Sequence, residues 1–520
     1  MRERWGSKLT FIIVSVGSAA GLGNIWRFPY LVGTNGGGAF LLPYILLLFL
    51  LGIPLLMLEF GLGQKMQRGA VDAFSKIKAK WGGIGFGALL VGFVVSTYYT
   101  VIMAWTLLYA WYATGLQWGS DPTSFFNNAL QVGTPGVITA IVPSVVIALL
   151  LVWTVVFFSV WKGVKAIGRI TKVVVLVPVA ILLLLLVQGL FLPNAWEGIA
   201  YYITPNFHAL LNIQVWMAAL GQIFFSLSVG FGIMIAYASY QDRKSDITKN
   251  AVIIALSDAF IAIISGFVVF STLGFMAAKQ GVPVEELAHS GPSLVFMVFP
   301  QALNLMPYAT FFAVIFFAML FMLGLSSQIS MTEAIITSFA DRMHKWNKQL
   351  LTFFVCAVTF AIGLIYATDS GLFILDIVDH FVNYGLILVG LLEVLVIGWI
   401  FGAERLRTFI DNCSEWHVGR HYNTLIRFIA PALIIILLIN QLLADTPLGN
   451  IVGHYLGIES IFAPYGDYST SLLLLFGWSV LAAIIVASIL FGILQHPKPR
   501  RKKARGTTRK KPPAFARKKI

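Results

Sequence analysis

Long apolar runs alternate with short polar stretches, many of them rich in Lys and Arg, along nearly the whole chain. Twelve of these runs are long enough to cross a bilayer as helices: 9–31, 39–64, 84–114, 137–158, 168–192, 213–239, 248–277, 307–339, 349–367, 373–401, 425–444 and 470–494. The pattern predicts an all-α polytopic membrane protein. Two runs are flawed in the middle. In the first, Gly17, Gly21 and Gly23 stand among Ser and Ala, between an apolar stretch from Leu9 to Val16 and a second short helix from Asn24 to Tyr30. Glycine costs roughly 1 kcal/mol relative to Ala inside a helix, so one reading is a membrane helix unwound at its middle. The other is a glycine-rich face for tight packing. Lipid cannot satisfy freed N–H and C=O groups, so an unwound segment lies inside protein or beside a cavity. Freed carbonyls suit a hard cation, and a half-helix N-terminus suits a carboxylate.

The sixth run repeats the design. Trp216 to Phe225 is apolar, Ser226–Gly230 is a weak patch, and Phe231 to Tyr240 resumes. If spans 1–5 and 6–10 form two inverted five-helix repeats, spans one and six correspond. Interrupted segments at matching positions then point to a transporter binding site near the midplane. The organisation expected is an N-terminal segment 1–8, a first repeat 9–192, a second repeat 213–401, two further spans within 425–494 and a tail from 495 to 520. Spans eleven and twelve fall outside the repeats and are left to pack against a partner or a second copy, as in a homodimer.

Charge sets the orientation. The loops that hold Lys65, Arg68, Lys76, Lys78, Lys80, Lys162, Lys165, Arg243, Lys244, Arg342 and Lys345 lie on one side, with Arg2, Arg4 and Lys8; the opposite loops carry little beyond Lys279. Both termini are therefore expected in the cytoplasm, with the protein in the cell membrane. The net charge of +14 owes much to Lys498–Lys519, which holds twelve Lys/Arg and no acid. Such a tail is expected to be disordered and drawn to anionic lipid headgroups; no nucleic-acid partner is expected. Mean hydropathy is +0.85, and the two cysteines, Cys356 and Cys413, suggest neither a disulfide nor a metal site.

Polar residues inside spans are costly unless they have a role. Asn24, Gln222, Asp258, Ser326, Ser327, Gln328 and Glu333 all fall there. Arg27 lies near the outer end of span one, and Asp376 and Asp379 near the outer start of span ten. At the inner side Arg2 and Trp5 precede span one and Asp341 closes span eight. One ion pair per mouth of a central site is what alternating access needs. No paired intramembrane Asp, HExxH or Gly-x-Ser-x-Gly forms a catalytic centre, so the chain is not read as an enzyme.

These residues resemble the neurotransmitter:sodium symporter family, of the bacterial leucine-transporter type. The resemblance rests on Gly21-Leu22-Gly23-Asn24-Ile25-Trp26-Arg27-Phe28-Pro29-Tyr30, Asn35-Gly36-Gly37-Gly38-Ala39-Phe40, Gly221–Ser228, Leu323–Gln328 and His289–Phe296, in that family's positions. It implies the leucine-transporter-type fold with broken helices 1 and 6. It also implies a Na⁺-coupled symporter importing hydrophobic or aromatic α-amino acids by alternating access. A carrier of small osmolytes or ω-amino acids, and a non-transporting amino-acid sensor, are the alternatives.

The resemblance also implies residue roles. One sodium site would use Ala19, Asn24, Ser226 and Asp258, together with the substrate carboxylate; Ser257 replaces Asp258 if the register slips by one. The other would use Gly17, Ala20, Leu323, Ser326 and Ser327. Where family members carry a chloride-site serine or an acid, this chain has Ala262, although Tyr44, Gln222 and Ser226 remain as a chloride-site remnant. Asp258 is expected to supply the fixed charge, so that two Na⁺ suffice and chloride is not required. Substrate would lie among Ala19, Gly21, Gly23, Val95, Tyr99, Phe225, Ser226, Ser228, Phe231, Ser327 and Met331, with Gly21 leaving room for the substrate's own carboxylate. Arg27, Asp379, Tyr99 and Phe225 would form the outer gate. Arg2, Trp5 and Asp341 would form the inner one, supported by Ser239 and Tyr240. In span five, Gly168 and Pro178 mark either a local unwinding or a plain proline kink.

Overall fold

A computed structural model describes residues 3–287, 291–343, 346–448, 450 and 465–495. Arg2, residues 289 and 290 of the loop motif, and all of the basic tail beyond Gln495 lie outside the described residues.

The membrane-crossing helices, in chain order, are α1 (Lys8–Ala19), α2 (Gly23–Thr34), α3 (Gly38–Met66), α4 (Ala79–Gly115), α5 (Pro143–Val160), α6 (Val164–Leu190) and α7 (Ile213–Ser226). They continue as α8 (Ile233–Ala238), α9 (Ile247–Gln280), α10 (Ala309–Ala340), α11 (Lys348–Ala367), α12 (Gly371–Cys413), α13 (His421–Asp445) and α14 (Thr470–Leu494). Ten of these are long and apolar enough to span a membrane singly, and α1 with α2 makes an eleventh span bent by 53°. The sixth span of the sequence pattern is the pair α7 and α8, each short. Among the described residues only isolated bridges, such as Ile141 with Thr368, interrupt the all-helical architecture.

The two broken spans sit inside a scaffold. α1 packs on α6, α9 and α10; α8 packs on α3 and α10; α4 and α10 run against each other. α14 lies on the outer side of α4 and α12, and its Leu474, Leu475, Ile489, Ile493 and Leu494 are exposed, as lipid-facing side chains are.

Several boundaries differ from the sequence pattern. Span four starts at Pro143, not 137, because Thr139 is pinned by the Asp369 carboxylate through its N–H (3.1 Å) and its hydroxyl. Val142 N–H also donates to Ala367 O (2.9 Å), which holds this strand-prone apolar stretch extended. Span five begins earlier, at Val164, and stays helical through Pro178, so there is no unwinding between Gly168 and Pro178 in this state. Gly168 has a packing role: a Cβ there would come within 2.6 Å of Thr10 on α1. Span ten runs on past 401 to Cys413 through a widened turn at Val396–Gly402.

Candidate substrate and ion site

The first break is only three residues, Ala20–Leu22, shorter than the glycine spacing suggests. α1 continues through Gly17 to Ala19 because those small residues are needed for contact: a Cβ on Gly17 would lie 2.2 Å from Val175 on α6. At its end, carbonyls are taken up by hydroxyls from other helices. Ser326 Oγ donates to Gly17 O (2.6 Å) and is 2.8 Å from Leu323 O. Ser228 Oγ and Ser327 Oγ approach Ser18 O at 3.0 and 3.3 Å.

The second break covers Leu227–Gly232, two residues further than the pattern implies. Ser228, Gly230 and Gly232 there have φ of +54°, +83° and +70°. That left-handed backbone suits glycine and is strained for serine. Glu59, fully buried on α3, accepts the Gly230 N–H at 2.7 Å and so ties the break to the scaffold.

Between the breaks, three polar side chains meet in an apolar surround. Asn24 Nδ2 donates to Asp258 Oδ1 (2.8 Å), and Ser226 Oγ lies 2.6 Å from Asp258 Oδ2 and 3.2 Å from Asn24 Oδ1. Asp258 is fully buried and has no cationic side chain within 4 Å among the described residues. A buried carboxylate without a paired cation is costly, and a cation held there offsets that cost. Three of the four residues expected at the first site, Asn24, Ser226 and Asp258, are thus brought together, and Asp258, rather than Ser257, makes these contacts. Nearby, Tyr44 Oη and both polar atoms of Gln222 are buried without a hydrogen-bond partner. At the expected second site Ser326 meets the Gly17 and Leu323 carbonyls, whereas Ser327 Oγ is turned toward Ser18 O and the substrate cavity.

That cavity, of about 40 Å³, is lined by Ala19, Gly21, Gly23, Val95, Tyr99, Phe225, Ser226, Ser228, Phe231, Ser327 and Met331, the full expected set. Gly21 has to lack a side chain, because a Cβ would sit 2.9 Å from Ser327 Oγ and 3.3 Å from Tyr99 Oη. Tyr99 Oη accepts the Leu22 N–H at 3.4 Å. Above lies a much larger cavity of about 630 Å³, which shares Gly23, Tyr99 and Phe225 with the lower one and is lined also by Arg27 and Asp379.

The outer gate is not closed by a direct ion pair: no nitrogen of Arg27 lies within 4 Å of Asp379. Arg27 instead stacks its guanidinium over Phe225, 4.7 Å from the ring centre, and Asp379 accepts from Tyr98 Oη. On the inner side Trp5 is buried edge-on against Tyr237 and Tyr240, and donates through Nε1 to Tyr237 O at 2.9 Å. Asp341 accepts from Gly69 N–H (2.7 Å) and Arg68 (3.3 Å). Ser239 Oγ donates to Ala236 O, and Tyr240 Oη donates to Glu333 (2.7 Å). The wide cavity lies on the Arg27–Asp379 side of the breaks, and the Trp5–Asp341 side is packed.

Four polar groups escaped the sequence reading of the site: Glu59, Glu393, Tyr98 and Lys348. Glu393 of α12 is fully buried beside Glu59. Tyr98 is the neighbour that occupies Asp379. Lys348 joins buried Glu333 (3.1 Å) to Glu3 (3.6 Å), whose carboxylate also caps the start of α6 at Val164 N–H (2.9 Å). The signal for the two acids was present, as charges within apolar runs.

The profile of the sodium:neurotransmitter symporter family matches residues 2–131 and 119–495. The chain is 40% identical over 439 residues to an uncharacterized sodium-dependent transporter of Methanocaldococcus jannaschii, covering 83% of this chain and 89% of that one. It is 34% identical to the sodium- and chloride-dependent GABA transporter 2 of Rattus norvegicus, over 86% of this chain and 81% of the relative. The rat sodium- and chloride-dependent taurine transporter is 33% identical over 86% and 79%.

Proposed function

Because the chain belongs to the sodium:neurotransmitter symporter family, a family of multi-pass membrane transporters with the leucine-transporter-type fold, we propose that it imports hydrophobic or aromatic α-amino acids with two Na⁺. The observation that carries this reading is the Asn24–Ser226–Asp258 cluster beside the side-chain-free Gly21, under a cavity whose far end is apolar. A substrate carboxylate fits above Gly21 and completes the shell of a Na⁺ held by that cluster. Ion and substrate then share a ligand, and each strengthens the other's binding by the same factor. The second Na⁺ belongs with the carbonyls of Gly17 and Leu323 and the Ser326 hydroxyl.

The choice of α- over ω-amino acid rests on the hydroxyls. Ser18, Ser228 and Ser330 already bond one another or main-chain oxygens, and Val95, Phe225, Phe231 and Met331 offer no hydrogen-bond acceptor to a distal ammonium. The names of the rat relatives favour the other reading, a small ω-amino acid or sulfonate. Leucine, phenylalanine, tryptophan, GABA and taurine competing with labelled leucine in proteoliposomes, with an inward Na⁺ gradient, separate the two. Accumulation blocked by aromatic amino acids and indifferent to GABA and taurine is expected. GABA or taurine as the effective competitor would overturn the substrate assignment, and binding without accumulation would make the protein a sensor.

Asp258 places the compensating negative charge in the protein itself, so chloride is not needed. Both termini and the Lys/Arg-rich loops face the cytoplasm in this reading.

A further inference from the structure

A second cavity lies away from the transport path. It runs between the Lys80–Gly87 end of α4, the middle of α12 and the last turns of α14, and measures about 400 Å³. Gly83, Gly87, Gly385 and Gly492 line it and let the helices approach closely, a Cβ on Gly83 or Gly492 falling within 2.6 Å of the facing backbone, and its one hydroxyl, Ser488 Oγ, is spent on Ile484 O at 2.6 Å. The slot is therefore apolar along its length. Ile489 and Ile493 on its lip are 55% and 69% exposed, so it opens toward the bilayer. An apolar void of this size beside lipid is filled by whatever chain the bilayer supplies.

The mouth selects among lipids. Lys80 is exposed, lies over the Trp81 ring at 4.7 Å, and has no carboxylate within 4 Å among the described residues. Trp81 Nε1 is a buried donor with no hydrogen-bond partner. A cation and an unspent N–H side by side at the end of an apolar slot match a phosphodiester with an acyl chain below it. The chain also leaves α14 at this mouth: Gln495 packs against Gly82 and its amide nitrogen donates to Ser75 Oγ at 2.8 Å. From there the sequence continues into the twelve Lys/Arg of 498–519.

We propose that this slot is a binding site for one anionic glycerophospholipid of the adjoining leaflet, its acyl chain between α4, α12 and α14 and its phosphate at Lys80 and Trp81. The other faces of α4 and α12 carry Val95 and Tyr99 of the substrate cavity and Asp379 of the outer mouth, so an occupied slot braces helices that the site depends on. The proposal does not depend on which substrate is carried.

The test uses the delipidated full chain, its thermal unfolding midpoint on adding dioleoylphosphatidylglycerol or dioleoylphosphatidylcholine, and native mass spectrometry of retained lipid. One phosphatidylglycerol per chain is expected, with a midpoint rise for that lipid alone. Lys80→Gln should weaken the response about fivefold to tenfold, Ile489→Trp should abolish it by filling the slot, and Lys244→Gln, an exposed charge elsewhere, should leave it intact. Equal response to phosphatidylcholine overturns the headgroup assignment. Retention unchanged in both Lys80→Gln and Ile489→Trp overturns the site. Phosphatidylglycerol uptake that rises when the tail's basic residues are replaced by Gln makes the tail itself the occupant and overturns the lipid.

Discussion

Replacing Asp258 by Asn isolates the charge at the first ion site. The amide is nearly the same shape and keeps the hydrogen-bond pattern. Its oxygen still accepts from Asn24 Nδ2, at 2.8 Å in the native chain, and its nitrogen donates to Ser226 Oγ, which turns its proton to Asn24 Oδ1, 3.2 Å away. What is lost is one negative charge. Two unit charges about 4 Å apart at an effective dielectric near 20 attract by about 4 kcal/mol. Roughly half of that is offset in the native chain by the cost of burying the carboxylate. The net loss of about 2 kcal/mol should therefore raise the Na⁺ concentration for half-maximal uptake by about 30-fold. Tyr44 Oη and Gln222 Nε2 are buried donors without partners beside the site, so chloride can take over the missing charge in the variant. Uptake of labelled leucine into proteoliposomes, titrated with Na⁺ in chloride and in gluconate, reads both effects. The native chain should be indifferent to the anion, and Asp258→Asn should work in chloride and fail in gluconate. Native uptake that collapses in gluconate, or a variant whose Na⁺ dependence is unmoved there, refutes the reasoning.

Other outcomes follow from the same contacts. Gly17→Ala drives a methyl to 2.2 Å from Val175; it should weaken Na⁺-dependent binding, and Val175→Ala in the same chain should restore much of it, read by Na⁺ titration of substrate binding. Lys348→Met leaves the fully buried Glu333 without its cation; a loss of about 3–5 kcal/mol is expected, seen as a lowered unfolding midpoint and recovered by adding Glu333→Gln. Arg27→Lys gives up the planar stacking on Phe225 at 4.7 Å; transport should fall while Na⁺ binding in detergent stays near native. Acidification should release the 133–142 segment. Asp369, outside the spans, is held below the usual carboxylate range chiefly by the Thr139 hydroxyl and then by main-chain N–H groups. Its contribution is whole above that range and lost as the pH falls through the lowered value, which hydrogen exchange at Thr139 would report.

What the sequence made legible was the chemistry that lipid penalises. Gly17 to Gly23, Asn24 and Asp258 stand out in apolar runs because each costs free energy there unless something uses it; Gly21, Gly23 and Asn24 line one cavity, and Asp258 is bonded to Asn24 at its edge. Glu59 and Glu393 carry the same signal. Their meaning, however, lies in a tertiary fact: Glu59 reaches the Gly230 N–H, and Glu393 touches Glu59 from another helix. Ser228 was legible as a weak helix former but not as a residue with φ of +54°, because that strain is imposed by the scaffold around the break. The stretch 137–142 reads as helix by apolarity, and only Asp369, more than 220 residues away, holds it extended. The gate marks a different limit. Arg27 and Asp379 line the same cavity yet form no ion pair, and a transporter's sequence has to permit every state of its cycle and favours each only slightly. A contact that forms and breaks in turnover has to be weak. The pair separated by Tyr98 and Phe225, above a cavity of about 630 Å³, is therefore consistent with the same residues closing over substrate later in the cycle.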